Sequence, residues 1–432
     1  MARKPANSPN DPSQIATIML SWHALELISC TTLQTLWAGY GQICALNVRA
    51  TTDKAAADLC QLCGTDLQGA GSTFPLILKL ISPPSHNRTA DEGHLRKMLS
   101  YEVEQYFYSE VVPILGDEVA VAKCLASTRY LNADGPRRDG QELLEGLMAT
   151  IMVDLRPAFP VSGGKRSALS QVQVHGALDW LARFHRRSWD LLPRVFDGYV
   201  LPPFEESKRR EGSGSGGDGL WLNGGYTYLA TRRMEYRSLL QDSGSVWCEA
   251  LCTRVSDESP LSIAEMVALV LTPCGRDIES YIHGDVKSEN LFTTSAGDGV
   301  AFFDFQYVGL GLGACDLAKL FTCSVPMHML VDDEDYVPEQ LAMCKGEKEL
   351  LQRYHSNLLQ NKGSEFYEWN EFCRHWETAL VDWCRFQASW GFWGNTEWLE
   401  ARVRSILSDL EWLAWLDRSV KKSQRLDGAF AT

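Results

Sequence analysis

The chain has 432 residues, and its 41 Lys and Arg against 55 Asp and Glu give a formal charge of −14. With 45% hydrophobic and 22% charged residues, it is too apolar for a disordered chain and long enough for two or three domains with sizeable cores. The acidic balance argues against a general nucleic-acid binder, and weakly against an anionic membrane surface as partner.

The 13 cysteines are odd in number and irregularly spaced, so they cannot all pair internally. Reduced thiols in an intracellular, cytoplasmic setting are the expectation. No window approaches the roughly 18 uninterrupted apolar residues of a membrane span. Residues 1–14, MARKPANSPNDPSQ, are polar and have no apolar signal core, so they are expected as a disordered tail. Arg3 and Lys4 are thin support for a transit peptide.

In chain order, residues 31–48 combine β-branched and aromatic residues around Gly39-Tyr40-Gly41, predicting strands about a turn. A polar segment over roughly 50–73 leads to the apolar run PLILKLI at 75–81. A helix is predicted near 95–111 and a strand at 119–126. A short apolar run at 150–153 ends at Asp154, and the breakers Pro157 and Pro160 then mark a linker between two lobes. Over 170–188, Val174, Leu178, Leu181 and His185 share one helical face. The stretch EESKRREGSGSGGDG at 205–219 is predicted to be a flexible surface loop. Two short strands with polar loops follow around 282–305, and helical signals return from about 347 to 419. The fold class is therefore α+β. Residues 15–153 form a strand-rich N-lobe and residues 154–432 a mostly helical C-lobe.

Chemistry concentrates in residues 281–321. His283-Gly284-Asp285 is followed by Asn290, and Asp304 lies in an apolar run between Phe303 and Phe305. A carboxylate there is costly to bury unless a metal or hydrogen bonds take its charge. Two carboxylates and an amide at this spacing match the demands of phosphoryl transfer. One Asp accepts the proton of the attacking hydroxyl, and the Asn and second Asp hold Mg²⁺ against nucleotide phosphates.

These residues, with Asp304-Phe305-Gln306, resemble the aminoglycoside phosphotransferase/choline kinase superfamily, and within it the ecdysteroid-kinase-like branch. The resemblance implies a two-lobed, protein-kinase-like fold and an ATP- and Mg-dependent kinase acting on the hydroxyl of a small-molecule acceptor. It implies Asp285 as catalytic base, Asn290 and Asp304 as metal ligands, and Asp316 as a brace for the catalytic loop. Lys287 touches the transferred phosphoryl or is a solvated loop lysine; His283 is read as architectural.

The kinase-like reading also assigns N-lobe parts. Lys79, a lone lysine in an apolar strand, is expected at the α- and β-phosphates, or else snorkels from an edge. Glu104, in an E-x-x-F-Y pattern, is its expected partner, with Glu102 the competitor on another helix face. Gly39 and Gly41 form either the phosphate loop or an ordinary hairpin turn. Met152 and Asp154 are placed at the hinge beside adenine, although Val153 departs from the acidic residue common there.

Other signals carry less. Cys60-x-x-Cys63 lacks the second pair a zinc site needs, so loop cysteines are expected. Trp369, Trp376, Trp383 and Trp390 recur every seven residues. They form either core packing or an aromatic wall beside an acceptor pocket, suited to amines or sterol-like bodies. Gln306 replaces the Gly of a protein kinase, and the HGD loop differs from the HND type of choline kinases. Choline or ethanolamine remains the alternative acceptor, and a nucleotide-binding scaffold the alternative to an enzyme.

Overall fold

A computed structural model describes residues 11–83, 91–132, 137–192, 195–213, 216–254 and 260–430. The chain divides into two compact units. One contains residues 1–116 and 121–157, the other 117–120 and 158–432.

The first unit begins with α1 (Pro12–Ser21), whose N-terminus is fixed by the Asp11 carboxylate accepting from the Ser13 amide, with Pro at the first turn. The expected tail at 1–14 therefore ends earlier, and residues 1–10 lie outside the described ones. Next come β1 (Leu25–Thr35), β2 (Gly41–Ala50), α2 (Asp53–Cys63), β3 (Thr73–Ile81), α3 (Glu92–Tyr106), a π-helical turn at Phe107–Val111, and α4 (Val112–Leu115). β4 (Cys124–Ser127) and β5 (Met148–Val153) complete an antiparallel sheet in the order β1-β2-β3-β5-β4.

Three expectations change here. The polar stretch 50–73 contains α2, capped by Thr52 and ended by Gly64 in the left-handed region; it buries Ala55, Ala56, Leu59 and Cys60 under the sheet. Cys60 and Cys63 are thus helical rather than loop residues. The strand expected at 119–126 is shorter and begins at Cys124, and upstream of it the Ala120 carbonyl accepts from the Trp180 indole. The helix near 95–111 starts at Glu92, where Asp91 accepts from the Gly93 and His94 amides.

The second unit contains β6 (Val161–Ser162), α5 (Gln171–Ser188), α6 (Pro203–Ser213), α7 (Arg233–Gln241), α8 (Val246–Cys252) and α9 (Ile263–Leu271). Short strands β7 (Ser280–Ile282), β8 (Leu291–Thr293), β9 (Val300–Phe302) and β10 (Gly309–Gly311) precede α10 (Ala314–Ser324), α11 (Lys345–Leu358), α12 (Trp369–Trp390), α13 (Thr396–Ser408) and α14 (Leu410–Phe430). α5 begins with a capping box between Ser170 and Gln173, and its face of Val174, Leu178, Leu181 and His185 is buried as expected. The loop expected at 205–219 instead opens with α6. Its charges look solvated in sequence, yet Glu206 is fully buried, pairs with Arg209 and Arg210, and accepts from the Leu201 and Gly217 amides. No helix among the described residues is long and apolar enough to cross a membrane.

All four heptad-spaced tryptophans lie on α12. Trp376 is core: its indole donates to Glu347, which also holds Arg402. His375 on the same helix bonds the Tyr367 hydroxyl at 2.8 Å and packs edge-on against Trp415. Burial, and then the Arg276 charge, lowers its pKa from 6.5 to about 3. The unfolded chain binds this proton first. Stability is therefore complete above pH 6.5 and is lost as pH falls towards 3, at about 1.4 kcal/mol per unit. Denaturant unfolding between about pH 7.5 and about pH 5.5 should show a steeper pH slope for the native chain than for His375→Gln, and equal slopes would contradict the assignment.

Candidate active site

Within the first unit, Lys79 sits on central strand β3, between Ile43 of β2 and Thr150 of β5. Both strands are paired, so the lysine is no edge residue, and only 8% of it is exposed. A buried ammonium needs an anion, and Glu104 of α3 supplies it at 2.5 Å. Gln105 pins α3 to β5 by donating to the Ala149 carbonyl at 3.1 Å. Met152 and Thr150 line a narrow crevice with Lys79, Glu104 and Tyr101. Asp154 is buried, but its carboxylate is gripped by the Arg156 guanidinium at 2.6–3.0 Å.

Gly39 and Gly41 lie at the β1–β2 turn. The Gly39 amide donates to the Leu36 carbonyl, so that amide is spent inside the turn rather than offered to a phosphate. Gly41 has φ 152° and its Cα faces the Leu80 carbonyl so closely that a Cβ would collide with it. The second glycine is required by sheet packing. Tyr40 between them is buried and bonds His94 at 2.8 Å.

Within the second unit, β7 leads into the His283-Gly284-Asp285 turn, and the β8–β9 hairpin carries Asn290 and Asp304. The Asn290 amide nitrogen donates to both the Asp285 carbonyl and its Oδ2, each at 2.9 Å. Lys287 reaches the same Oδ2 at 3.1 Å and Glu289 at 3.2 Å. Burial opposes charge on Lys287, but the Asp285 and Glu289 carboxylates outweigh it and push its pKa well up. Lys287 is thus tied to the Asp285 and Glu289 carboxylates rather than standing alone in solvent. The Asn290 carbonyl accepts from the Phe303 amide, which brings Asn290 alongside the residue preceding Asp304. Asp304 itself adopts φ 67°, turning it out of the apolar run. It is only partly buried, with Gln306 donating to it, while Phe305 stays in the core. This removes the burial cost raised by the sequence.

Asp316 on α10 is fully buried and accepts from the backbone amides of His283 at 2.7 Å and Gly284 at 2.9 Å. His185 of α5 lies 3.2 Å from the same carboxylate, with the Tyr354 hydroxyl 2.7 Å from its other ring nitrogen. Burial opposes ionisation of Asp316, yet the His185 bond and charges outweigh it and lower its pKa. The backbone of the 283–285 turn is thus held by Asp316 of α10, which is backed in turn by His185 of α5 and Tyr354 of α11. His283 is also structural: Nε2 meets the Phe303 carbonyl, Nδ1 receives the Asp285 amide, and burial lowers its pKa. The periodic placement of His185 was visible in sequence, but its contact with Asp316 spans 131 residues and carries no local signal.

Gly284 has φ 83°, and a methyl group there would strike the Tyr307 carbonyl and come within 2.7 Å of the Gly225 nitrogen. Gly284→Ala should cost roughly 2–4 kcal/mol of stability. A urea-unfolding difference below about 1 kcal/mol would be inconsistent with this packing.

The segment 220–235 now has a place. Gly225 adjoins Gly284, and Tyr226 is half-buried near Asp285. Burial, then the Asp285 charge, raises the Tyr226 pKa well above its ordinary value. Tyr226 packs on Tyr307 and Phe386, and Phe386 stacks on Trp390. Trp383 meets Trp393 edge-on at 5.4 Å. Trp376 and Trp383 are thus both buried and Trp390 is exposed, and Trp383, Phe386 and Trp390 stack into an aromatic wall that packs on Tyr226.

The profile of the ecdysteroid kinase-like family matches residues 63–362, well over half of the chain. The chain belongs to the ecdysteroid kinase-like family. This is a family of small-molecule kinase-like proteins, and the two-part architecture, strand-rich then helical, is the kinase-like fold. No curated protein is similar enough in sequence to count as a match. Among solved structures, Plasmodium vivax ethanolamine kinase is similar at 12% identity and TM-score 0.37, covering 93% of this chain and 82% of its own. Choline kinase from Cryptosporidium parvum is similar at 11% and 0.35, covering 93% and 90%. A macrolide 2'-phosphotransferase from Brachybacterium faecium is similar at 12% and 0.37, covering 88% and 98%.

Proposed function

We propose that this protein transfers the γ-phosphoryl group of ATP to a hydroxyl of a small-molecule acceptor, with Mg²⁺ as cofactor and Asp285 as base. The observation that carries the reading is the Asp285–Asn290–Lys287 cluster on a loop whose backbone is clamped by Asp316. Asp285 would accept the acceptor proton, and its orientation is fixed by the Asn290 amide. Lys287, already at the Asp285 carboxylate, would meet the incoming phosphoryl charge.

The oxygen chemistry fits a divalent ion. Asn290 spends its side-chain nitrogen on Asp285, so its side-chain Oδ1 is the group left to coordinate, and Asp304 adds a carboxylate. Mg²⁺ takes one or two protein oxygens and completes its shell with phosphates and water. When bound, the ion would spread the charge developing on the phosphates. Lys79, oriented by Glu104, would hold the α- and β-phosphates, with the Met152 backbone beside adenine.

The test is ADP release with Mg²⁺ and ATP across sterols, amino alcohols, aminoglycosides and sugars. At least one acceptor should give turnover that depends on Asp285. Mg²⁺-ATP binding without any such turnover would leave a nucleotide-binding scaffold. Lys79→Met should lower kcat/KM for ATP by roughly a hundredfold. Unchanged ATP kinetics in that variant would remove the N-lobe part of the proposal.

A further inference from the structure

Lys319 lies on α10 three residues after Asp316, and only 4% of it is exposed. Lysines are almost never buried without a partner. Yet Lys319 makes no hydrogen bond or ion pair with any described residue, and its ammonium lies 6.0 Å from the centre of the Trp383 ring. Asp316 contributes charge nearby, but its oxygens are occupied by His283, Gly284 and His185. The ammonium points at Gly225, 3.2 Å from where a Cβ would stand; that same position is 3.6 Å from the Gly284 carbonyl, next to Asp285. Lys319 therefore lies in the angle between the catalytic turn and the aromatic wall.

The wall already contains its own cation. The Arg232 guanidinium lies 5.2–5.5 Å from the rings of Tyr226, Phe386 and Trp390. It is fixed by Glu235 at 2.9 Å and the Tyr226 carbonyl at 2.7 Å. Those aromatic faces, which would otherwise suit a quaternary ammonium, are occupied by the chain itself.

We propose that Lys319 is a specificity residue for the acceptor: its ammonium binds an anionic oxygen group that the acceptor carries beside the hydroxyl presented to Asp285. A buried cation without a protein partner is completed by an anion from the ligand, while a second cation beside Lys319 and Arg232 is repelled. The acceptor class is thus a hydroxyl compound with an apolar or aromatic body and a carboxylate-like group, not an amino alcohol. The inference rests on the proposed role of Asp285 for the placement of the hydroxyl.

The matched probes are para-hydroxymethylbenzoate, para-hydroxymethylbenzamide and para-hydroxymethylbenzylamine, which share body and hydroxyl but differ in charge. Calorimetric titration of the full chain without nucleotide reads binding separately from phosphoryl transfer. Failure of the kinase reading would appear in Asp285-dependent turnover, and failure of this one in the order of affinities. The benzoate should bind at least about tenfold more tightly than the benzylamine, with the amide between. Lys319→Met should abolish the preference and Lys319→Arg should retain it. No benzoate binding, an equal or reversed order in the native chain, or an unchanged preference in a folded Lys319→Met would each overturn the proposal. If Lys319→Met does not fold, the order in the native chain and in Lys319→Arg still decides.

Discussion

Replacing Asp285 with asparagine should lower phosphoryl transfer by about 10²–10⁴-fold while leaving the protein folded and able to bind Mg²⁺-ATP. The carboxylate has two sets of obligations. It accepts from Asn290 and Lys287 in the resting site, and in the proposed reaction it takes the acceptor proton. Asparagine is close in shape and can keep one acceptor oxygen towards Asn290 or Lys287, so the loop should survive. It cannot take a proton at neutral pH, so the chemical step should not. The measurement is steady-state turnover on whichever acceptor the panel identifies, with nucleotide affinity measured in parallel. Turnover within a few-fold of the native enzyme would end the role of Asp285 as base. Loss of nucleotide affinity as large as the loss of turnover would instead mark a binding residue.

The second large effect is expected at Asp316, and it should appear first in stability. Asp316→Ala leaves the His283 and Gly284 amides and the His185 ring without their shared acceptor inside the protein. Removing one partner from a buried charged network costs roughly 3–5 kcal/mol. Asp316→Asn should cost less, because one oxygen remains, but its NH₂ then faces groups that were donating to Asp316. Both should be measured by urea unfolding, and turnover of the folded fraction should fall as well, since the loop loses its fixed position. The Asp316 carboxyl is held below its ordinary value of 3.8. Its stabilising effect is therefore fully present above that value and is lost only as pH falls through the lower folded-state value. In the native chain, loss of stability near pH 5 thus belongs to histidines such as His375, not to Asp316. An Asp316→Ala chain as stable as the native one would refute the clamp.

Much of this was legible in the sequence, for stated reasons. His283, Asp285, Asn290 and Asp304 lie close together in the chain, so local spacing reported their geometry. Lys79 was legible because a charge in the middle of PLILKLI violates the strand pattern. The pairing of Lys79 with Glu104 rests on the E-x-x-F-Y pattern of the family that the chain resembles, with Glu102 on another helix face. What escaped notice shares one property: its meaning depends on a distant contact. Glu206 sits in a run that looks solvated, and only the fold shows it capping two backbone amides. His185 reads as one more face residue until α10 brings Asp316 to it. Lys319 lies in an ordinary amphipathic helix, and no pattern distinguishes a lysine lacking an anion from one in water. Gly39-Tyr40-Gly41 was ambiguous because a phosphate loop and a tight hairpin demand the same residue type; the Gly39 amide and the Gly41 approach to Leu80 favour the hairpin.

The contact of Gly225 with Gly284 and Tyr307 has a consequence for how this site can diversify. There the His283-Gly284-Asp285 turn is seated on main-chain atoms, which are the same whatever the side chains around them. A methyl group at Gly284 would meet backbone, and Gly225 has φ 99°, where L side chains are strained, so neither glycine is readily replaced. The wall formed by Trp383, Phe386, Trp390 and Trp393 consists of side chains alone and can be altered in small steps. Mutational tolerance should therefore be sharply divided: the glycine-seated turn around Asp285 admits almost no change, and the aromatic side chains beside it can change in small steps.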